Sequence, residues 1–129
     1  MEIGRNQNQT TEETMMLGSQ KQIKWANEIR DGKLADFAKL EERAKNEIGQ
    51  KAIAYVRDNE QASFWIDYRA VSASDMVRNL VTTGLQIRGY GFSHNATMNH
   101  RSGEIIVSWE EIVQDGRGGH KEKRTEVVA

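Results

Sequence analysis

At Gly84 the spacing of apolar residues changes from helical to alternating, which limits the chain to folds in which helices precede a β-ribbon. Before it, Ile23, Ala26 and Ile29, then Leu34, Phe37, Leu40, Ala44 and Ile48, then Ala52, Ile53 and Val56, recur near the 3.6-residue period. After it, Leu85, Ile87, Gly89 and Gly91 alternate with Gln86, Arg88, Tyr90 and Phe92. Further on, Ile105, Val107 and Trp109 alternate with Ile106, Ser108 and Glu110. Period two in β-branched and aromatic residues predicts two strands. The link over 93–103, with Asn95, Asn99, Ser102 and Gly103, reads as a long hairpin loop. A lone hairpin is marginal in water, so one of its faces must pack on the helices. The expected fold is α+β: helices over about 19–82 packed against a β-hairpin over about 85–113, with a third strand as an option.

The chain has no proline, so glycines and caps must mark its boundaries. Ser19 and Gln22 have the spacing of a capping box directly before the first apolar run. Glu41/Lys45 and Glu47/Lys51 have the i,i+4 order that supports an exposed helix face. Breaks are expected at Asp31-Gly32 and near Gly49. Phe64-Trp65-Ile66 reads as a short apolar helix, and Ser74 as the cap of a last helix carrying Met76, Val77, Leu80 and Val81. Trp25 and Ile29 are expected to pack on the Phe64-Trp65-Ile66 knot. Asp67 is expected to pair with Arg69 or with Arg30. Neighbouring Trp65 and Ile66 cannot both face inward, which leaves one of them for a contact surface.

Both ends read as flexible tails. Residues 1–17 hold the polar, aperiodic run Asn6-Gln7-Asn8-Gln9-Thr10-Thr11, with Met15-Met16-Leu17 as an apolar plug able to dock. Residues 116–129 open on Gly116-Arg117-Gly118-Gly119-His120-Lys121 and are basic and glycine-rich. A single domain over 18–115 remains, which is enough chain for one core.

The chain holds no cysteine, which excludes disulfides, thiolate metal sites and cysteine nucleophiles. No apolar run approaches the roughly 18 residues of a membrane span. No basic-then-apolar leader follows Met1, so the expected location is the cytoplasm. The three histidines, His94, His100 and His120, do not stand with enough nearby carboxylates to predict a metal centre. Glu41-Glu42 and Glu110-Glu111 are sequence neighbours that point to different faces, so neither predicts an acid–base couple. Neither Gly89-Tyr90-Gly91 nor Gly116-Arg117-Gly118-Gly119 follows a strand and opens a helix, so neither predicts a phosphate cradle. The expectation is a protein without catalytic residues, metal or cofactor.

Charge is balanced overall, at −1, but not locally. Residues 82–103 carry no acid and residues 104–115 no base. The acid-free stretch supplies the candidate partner-binding residues Arg88, Tyr90, Phe92, His94, Asn95, His100 and Arg101. Aromatic rings with Arg, His and Asn and no opposing acid suit a protein contact. The same residue types stack on bases and touch phosphate, so nucleic acid is the alternative partner, with the basic tail as its second contact. If Leu85 and Ile87 face the helices, Arg88, Tyr90 and Phe92 face outward.

Two strings carry a resemblance. Leu17-Gly18-Ser19-Gln20-Lys21-Gln22-Ile23-Lys24-Trp25-Ala26-Asn27-Glu28-Ile29-Arg30 and Ser63-Phe64-Trp65-Ile66-Asp67-Tyr68-Arg69 together resemble a small module found in proteins of phages and mobile elements. The likeness spans residues 17–81, with Asn27 where a charged residue is common and Tyr68 where Asn is common. It carries over no catalytic residue. It implies an accessory protein of a phage or mobile element that blocks a host defence or handles nucleic acid. The combined expectation is a small non-enzymatic protein that occupies a partner surface. Inhibition of a host nucleic-acid-targeting defence is its most concrete form.

Overall fold

A computed structural model describes residues 16–88 and 93–129. Its elements are α1 (Gln20–Arg43), α2 (Glu47–Arg57), α3 (Ala62–Asp67) and α4 (Ala73–Val81), then β1 (Leu85–Ile87), β2 (His94–Met98), β3 (Ile105–Val113) and β4 (His120–Val127). The fold is α+β. The ribbon is an antiparallel sheet of four strands in sequence order, not a two-stranded hairpin.

The capping box forms as its spacing dictates: Gln22 N donates to Ser19 Oγ at 3.1 Å, and Ser19 N to Gln22 Oε1 at 3.1 Å. From there α1 runs 24 residues without the break expected at Gly32, whose missing side chain faces open space. Its sheltered stripe of Ile23, Ala26, Arg30, Lys33, Phe37 and Leu40 advances by three and four residues. Trp25 lies one residue off that stripe and is 46% exposed, so the expectation that it joins the core is corrected. The next break falls at 44–46 rather than at Gly49, with Asn46 Oδ1 accepting from Gly49 N at 2.8 Å. Lys45 is thereby past the end of α1, and Glu41 pairs with Arg57 of α2 instead.

Phe64 and Trp65 are both fully buried and meet edge to face at 5.2 Å, and Trp65 meets Phe37 of α1 in the same way at 6.1 Å. Trp65 Nε1 donates to Asn59 O at 2.9 Å, which satisfies its one polar group. Of the adjacent pair, Trp65 therefore belongs to the core and Ile66 is half-buried. Ser72, not Ser74, caps α4, its Oγ accepting from Asp75 N at 3.1 Å. Gly84 turns the chain out of α4 with φ 98°, and a Cβ there would stand 2.6 Å from Asn95 Oδ1.

The period-two reading of β1 holds: Leu85 and Ile87 are buried and Gln86 exposed. Residues 94–98, expected as loop, form β2 because Ala96 and Met98 fall on the buried face beside Leu85 and Ile105. The turn follows at 99–103, where Asn99 Oδ1 accepts from Arg101 N and Ser102 N. Residues 120–127, expected within a mobile tail, form β4, which pairs with β3 from Ile106↔Val127 to Val113↔His120. Main-chain pairing to a strand already held by the core organises this segment, and pairing leaves no mark in apolar spacing. At the other end Met16 is buried, and Leu17 is bonded on both sides, Leu17 N to Glu60 O at 2.7 Å and Ala62 N to Leu17 O at 3.0 Å. The flexible segment expected over 1–17 thus does not include these two residues, while residues 1–15 lie outside the described ones.

Among the described residues the helices cover one face of the sheet. β1 packs on α3 and α4, and β2 on α4. Tyr68 fastens this joint, its Oη accepting from Gln86 N at 2.9 Å, as does Ser63, whose Oγ donates to Arg88 O at 2.6 Å.

Candidate functional site

Strand alternation sorts the sheet into two faces. The register places Leu85, Ala96, Val107 and Glu126 in one row on the helix side, and Gln86, Asn95, Ser108 and Thr125 in the next row on the open side. Among the described residues no helix lies over the open face. Asn95 is there, its Oδ1 accepting from Gln86 Nε2 at 2.9 Å. Ile112 is also there, 69% exposed, with Glu110, Lys121 and Lys123 around it.

Beyond Trp109, among the described residues, β3 and β4 leave the helices behind and continue as a two-stranded arm. Among the described residues β4 packs closely on β3 alone. The tip is a tight turn in which Gly116, Gly118 and Gly119 all take positive φ, which L side chains resist. Asp115 Oδ1 accepts from Arg117 N at 2.9 Å and Gly119 N at 3.1 Å. His120 sits between two carboxylates, Nδ1 2.9 Å from Asp115 Oδ2 and Nε2 2.8 Å from Glu122 Oε2. The hydrogen bonds to Glu122 and Asp115 raise the His120 pKa above its ordinary value. The bond to His120, with those from the Arg117 and Gly119 amides, holds the Asp115 carboxyl below the usual carboxylate range. Arg124 spans the arm to Glu111 and Glu122, each at 3.2 Å.

The described residues among those predicted for partner binding do not share one face of the sheet. Arg88 is exposed but engaged, its guanidinium gripping the Asp67 carboxylate through Nε at 2.9 Å and Nη2 at 2.6 Å. That pair replaces both ion pairs expected for Asp67. Arg69 instead donates to Ile66 O and lies over the Trp25 ring at 5.4 Å, and Arg30 donates to Arg57 O at 2.8 Å. Tyr90 and Phe92 lie outside the described residues. His94 is on the helix side of the sheet, its ring 5.0 Å from that of Trp109, whereas Asn95 is on the open side. His100 and Arg101 are exposed in the β2–β3 turn, at the opposite end of β2 from Arg88.

Sequence reasoning missed the arm, whose residues beyond Val113 carry no apolar period, and a cleft on the helix side of the sheet. That cleft, of about 750 Å³, lies between α2 and the strands and includes Tyr55, Gln61, His94 and Trp109. Among the described residues no three His, Asp or Glu side chains gather as a metal ion would require. Nor is any helix among them long and apolar enough to cross a membrane. Comparison with known proteins finds no matching family model, no matching curated protein and no matching solved structure.

Proposed function

We propose that this chain is a non-enzymatic binding protein that acts by occupying a partner protein's surface, and that the β3–β4 arm with the open face of the sheet is its contact element. The observation that carries this reading is the arm itself. Among the described residues it is a two-stranded ribbon without a helix beneath it, with an unshared edge along β4 and a large apolar side chain, Ile112, out in solvent. Ribbons of that kind gain their stability from what they touch, and open edges invite pairing.

A protein fits this element better than a nucleic acid does. Residues 109–124 hold four basic side chains, Arg117, Lys121, Lys123 and Arg124, against four acidic ones, Glu110, Glu111, Asp115 and Glu122. A phosphate-binding surface needs a surplus of positive charge that this arm lacks. Arg88 and Arg124, two of the cations a nucleic acid would use, are already paired with carboxylates. The two sequence strings that resemble a module of phage and mobile-element proteins support a biological setting for this reading: an accessory protein acting in the host cytoplasm by blocking a host defence against foreign nucleic acid.

Site-specific photocrosslinking tests the reading. A photoreactive side chain at Ile112 is expected to capture a protein from bacterial host lysate, before and after nuclease treatment. The same group at exposed Lys39 on α1 is expected to capture none. Equal capture from both positions, or capture lost on nuclease treatment, overturns it.

A further inference from the structure

The helix side of the sheet holds a cleft that the arm does not need. At its N-terminal end α2 touches the sheet region, where a Cβ on Gly103 would stand 3.2 Å from Ile48 Cγ1. Farther along, no strand packs closely on α2 among the described residues, and the two walls part to enclose about 750 Å³. That volume falls in the range of small-molecule sites, roughly 300–1,000 Å³. Ile87, Ile105 and Val107 line it from the sheet. Tyr55 stands on the helix wall, and the His94 and Trp109 rings, tilted 43° to one another, on the sheet wall. Aromatic side chains on facing walls favour a flat guest.

One polar group gives the cleft a chemical preference. Gln61 lines it, is 4% exposed, and keeps its Nε2 buried without a hydrogen-bond partner. Its position is fixed from both sides: Leu17 bridges to it along the backbone, and Gln61 N donates to Asn59 Oδ1 at 2.9 Å. A buried amide without a partner destabilises the empty protein, so a turn of the Gln61 side chain towards the cleft lets a guest's acceptor remove a penalty already present. The rim adds a second preference. Asp58 is engaged by Arg57 and Arg30, which leaves Glu60 and Glu126 against one cation, Lys51, among the described lining residues. A surplus carboxylate at the mouth disfavours anions.

We propose that this cleft binds a small, flat, uncharged heteroaromatic molecule whose edge offers an acceptor to Gln61 Nε2, the chemistry of a free nucleobase or nucleoside and not of a nucleotide. The carboxamide supplies a donor and an acceptor side by side, which match the paired acceptor and donor on a base edge. The inference stands apart from the arm, because the cleft opens between α2 and the opposite face of the sheet.

Adenosine, cytidine, their 5′-monophosphates and a short single-stranded oligonucleotide are the probes, titrated against the full chain and followed by NMR. Either nucleoside is expected to give saturable shifts centred on the Trp109 indole, His94 and the Gln61 side-chain amide. Its monophosphate is expected to bind roughly tenfold more weakly, and Glu126→Gln to narrow that gap. Gln61→Leu, which keeps the bulk and removes the amide, is expected to weaken the nucleoside by about tenfold or more and to raise the melting temperature. No saturable shift with either nucleoside overturns the proposal, as does tighter binding of the monophosphate or the oligonucleotide. A Gln61→Leu protein that melts lower also overturns it, because the amide would then serve the fold rather than a ligand.

Discussion

Strand β3 runs through two environments. Between Ile105 and Val107 it has β2 on one side, β4 on the other and the core beneath, and Ile105 is fully buried. From Glu110 to Val113, among the described residues, it has only β4 beside it; Val113, on the same face as Ile105, is half-buried, and Ile112, on the open face, is 69% exposed. The alternation of side chains is the same in both halves. What differs is whether anything covers them, and that separates what the fold needs from what it presents. The base of the sheet is fastened to the helices by Tyr68, Ser63 and the Asp67–Arg88 pair. The arm is held by pairing, by a glycine turn and by charges of both signs, none of which requires the core.

The largest effect that would break this contrast lies at the base. Trp65→Ala, which empties the space between Phe37 and Phe64 and leaves Asn59 O without its donor, is expected to cost about 3–5 kcal/mol in chemical denaturation. Loss of less than roughly 1 kcal/mol would mean that the knot is not the centre of the core. Gly84→Ala comes next. It forces a side chain into a positive φ and against Asn95, with an expected cost of about 1–3 kcal/mol. Trp25→Ala sharpens the same comparison within one helix. Its ring is half in solvent with Arg69 above it, so the expected loss is at most about 1 kcal/mol, against several for Trp65.

At the arm the expected effect is local and pH-dependent. His120 has its folded pKa above the unfolded value near 6.5, so its contribution to the turn is fully present below that pH and fades as pH rises through the folded value. Asp115 has its folded pKa below the unfolded 3.8, so its contribution is present above that pH and fades as pH falls through the folded value. The turn is therefore expected to be tightest between about pH 4 and 6.5, seen as slow amide exchange at Arg117 and Gly119 with an unchanged global melting curve. Exchange at these amides that does not vary across pH 4–8, beyond the intrinsic rate, would contradict the clamp.

The sequence disclosed most where burial sets the pattern. The Ser19–Gln22 cap, the switch at Gly84 and the inward Leu85 and Ile87 were all legible, because capping chemistry and a covered face leave periodic marks. Trp25 was misread since aromatic content alone does not say which side of a helix a residue takes, and it lies one position off the stripe through Ala26. β2 was hidden in Asn95-Ala96-Thr97-Met98, where the inward residues are small or flexible and the polar ones resemble a loop. β4 was hidden more fully: His120-Lys121-Glu122-Lys123-Arg124 shows no apolar residue, and its strand exists only through β3. The candidate site inherits the same limit. An acid-free stretch of sequence pointed to the ribbon, but parity sends His94 and Asn95 to opposite faces, and a strand length separates Arg88 from Arg101.

The most direct test joins Glu110 to Lys123 through an Asn-Gly turn, which removes the distal arm at a register pair and leaves the base of the sheet intact. The account predicts a melting curve that overlays the parent's and a complete loss of the protein partner captured through the arm. A shortened chain that unfolds would contradict the separation of base from arm, and one that still captures the partner would move the contact surface elsewhere on the molecule.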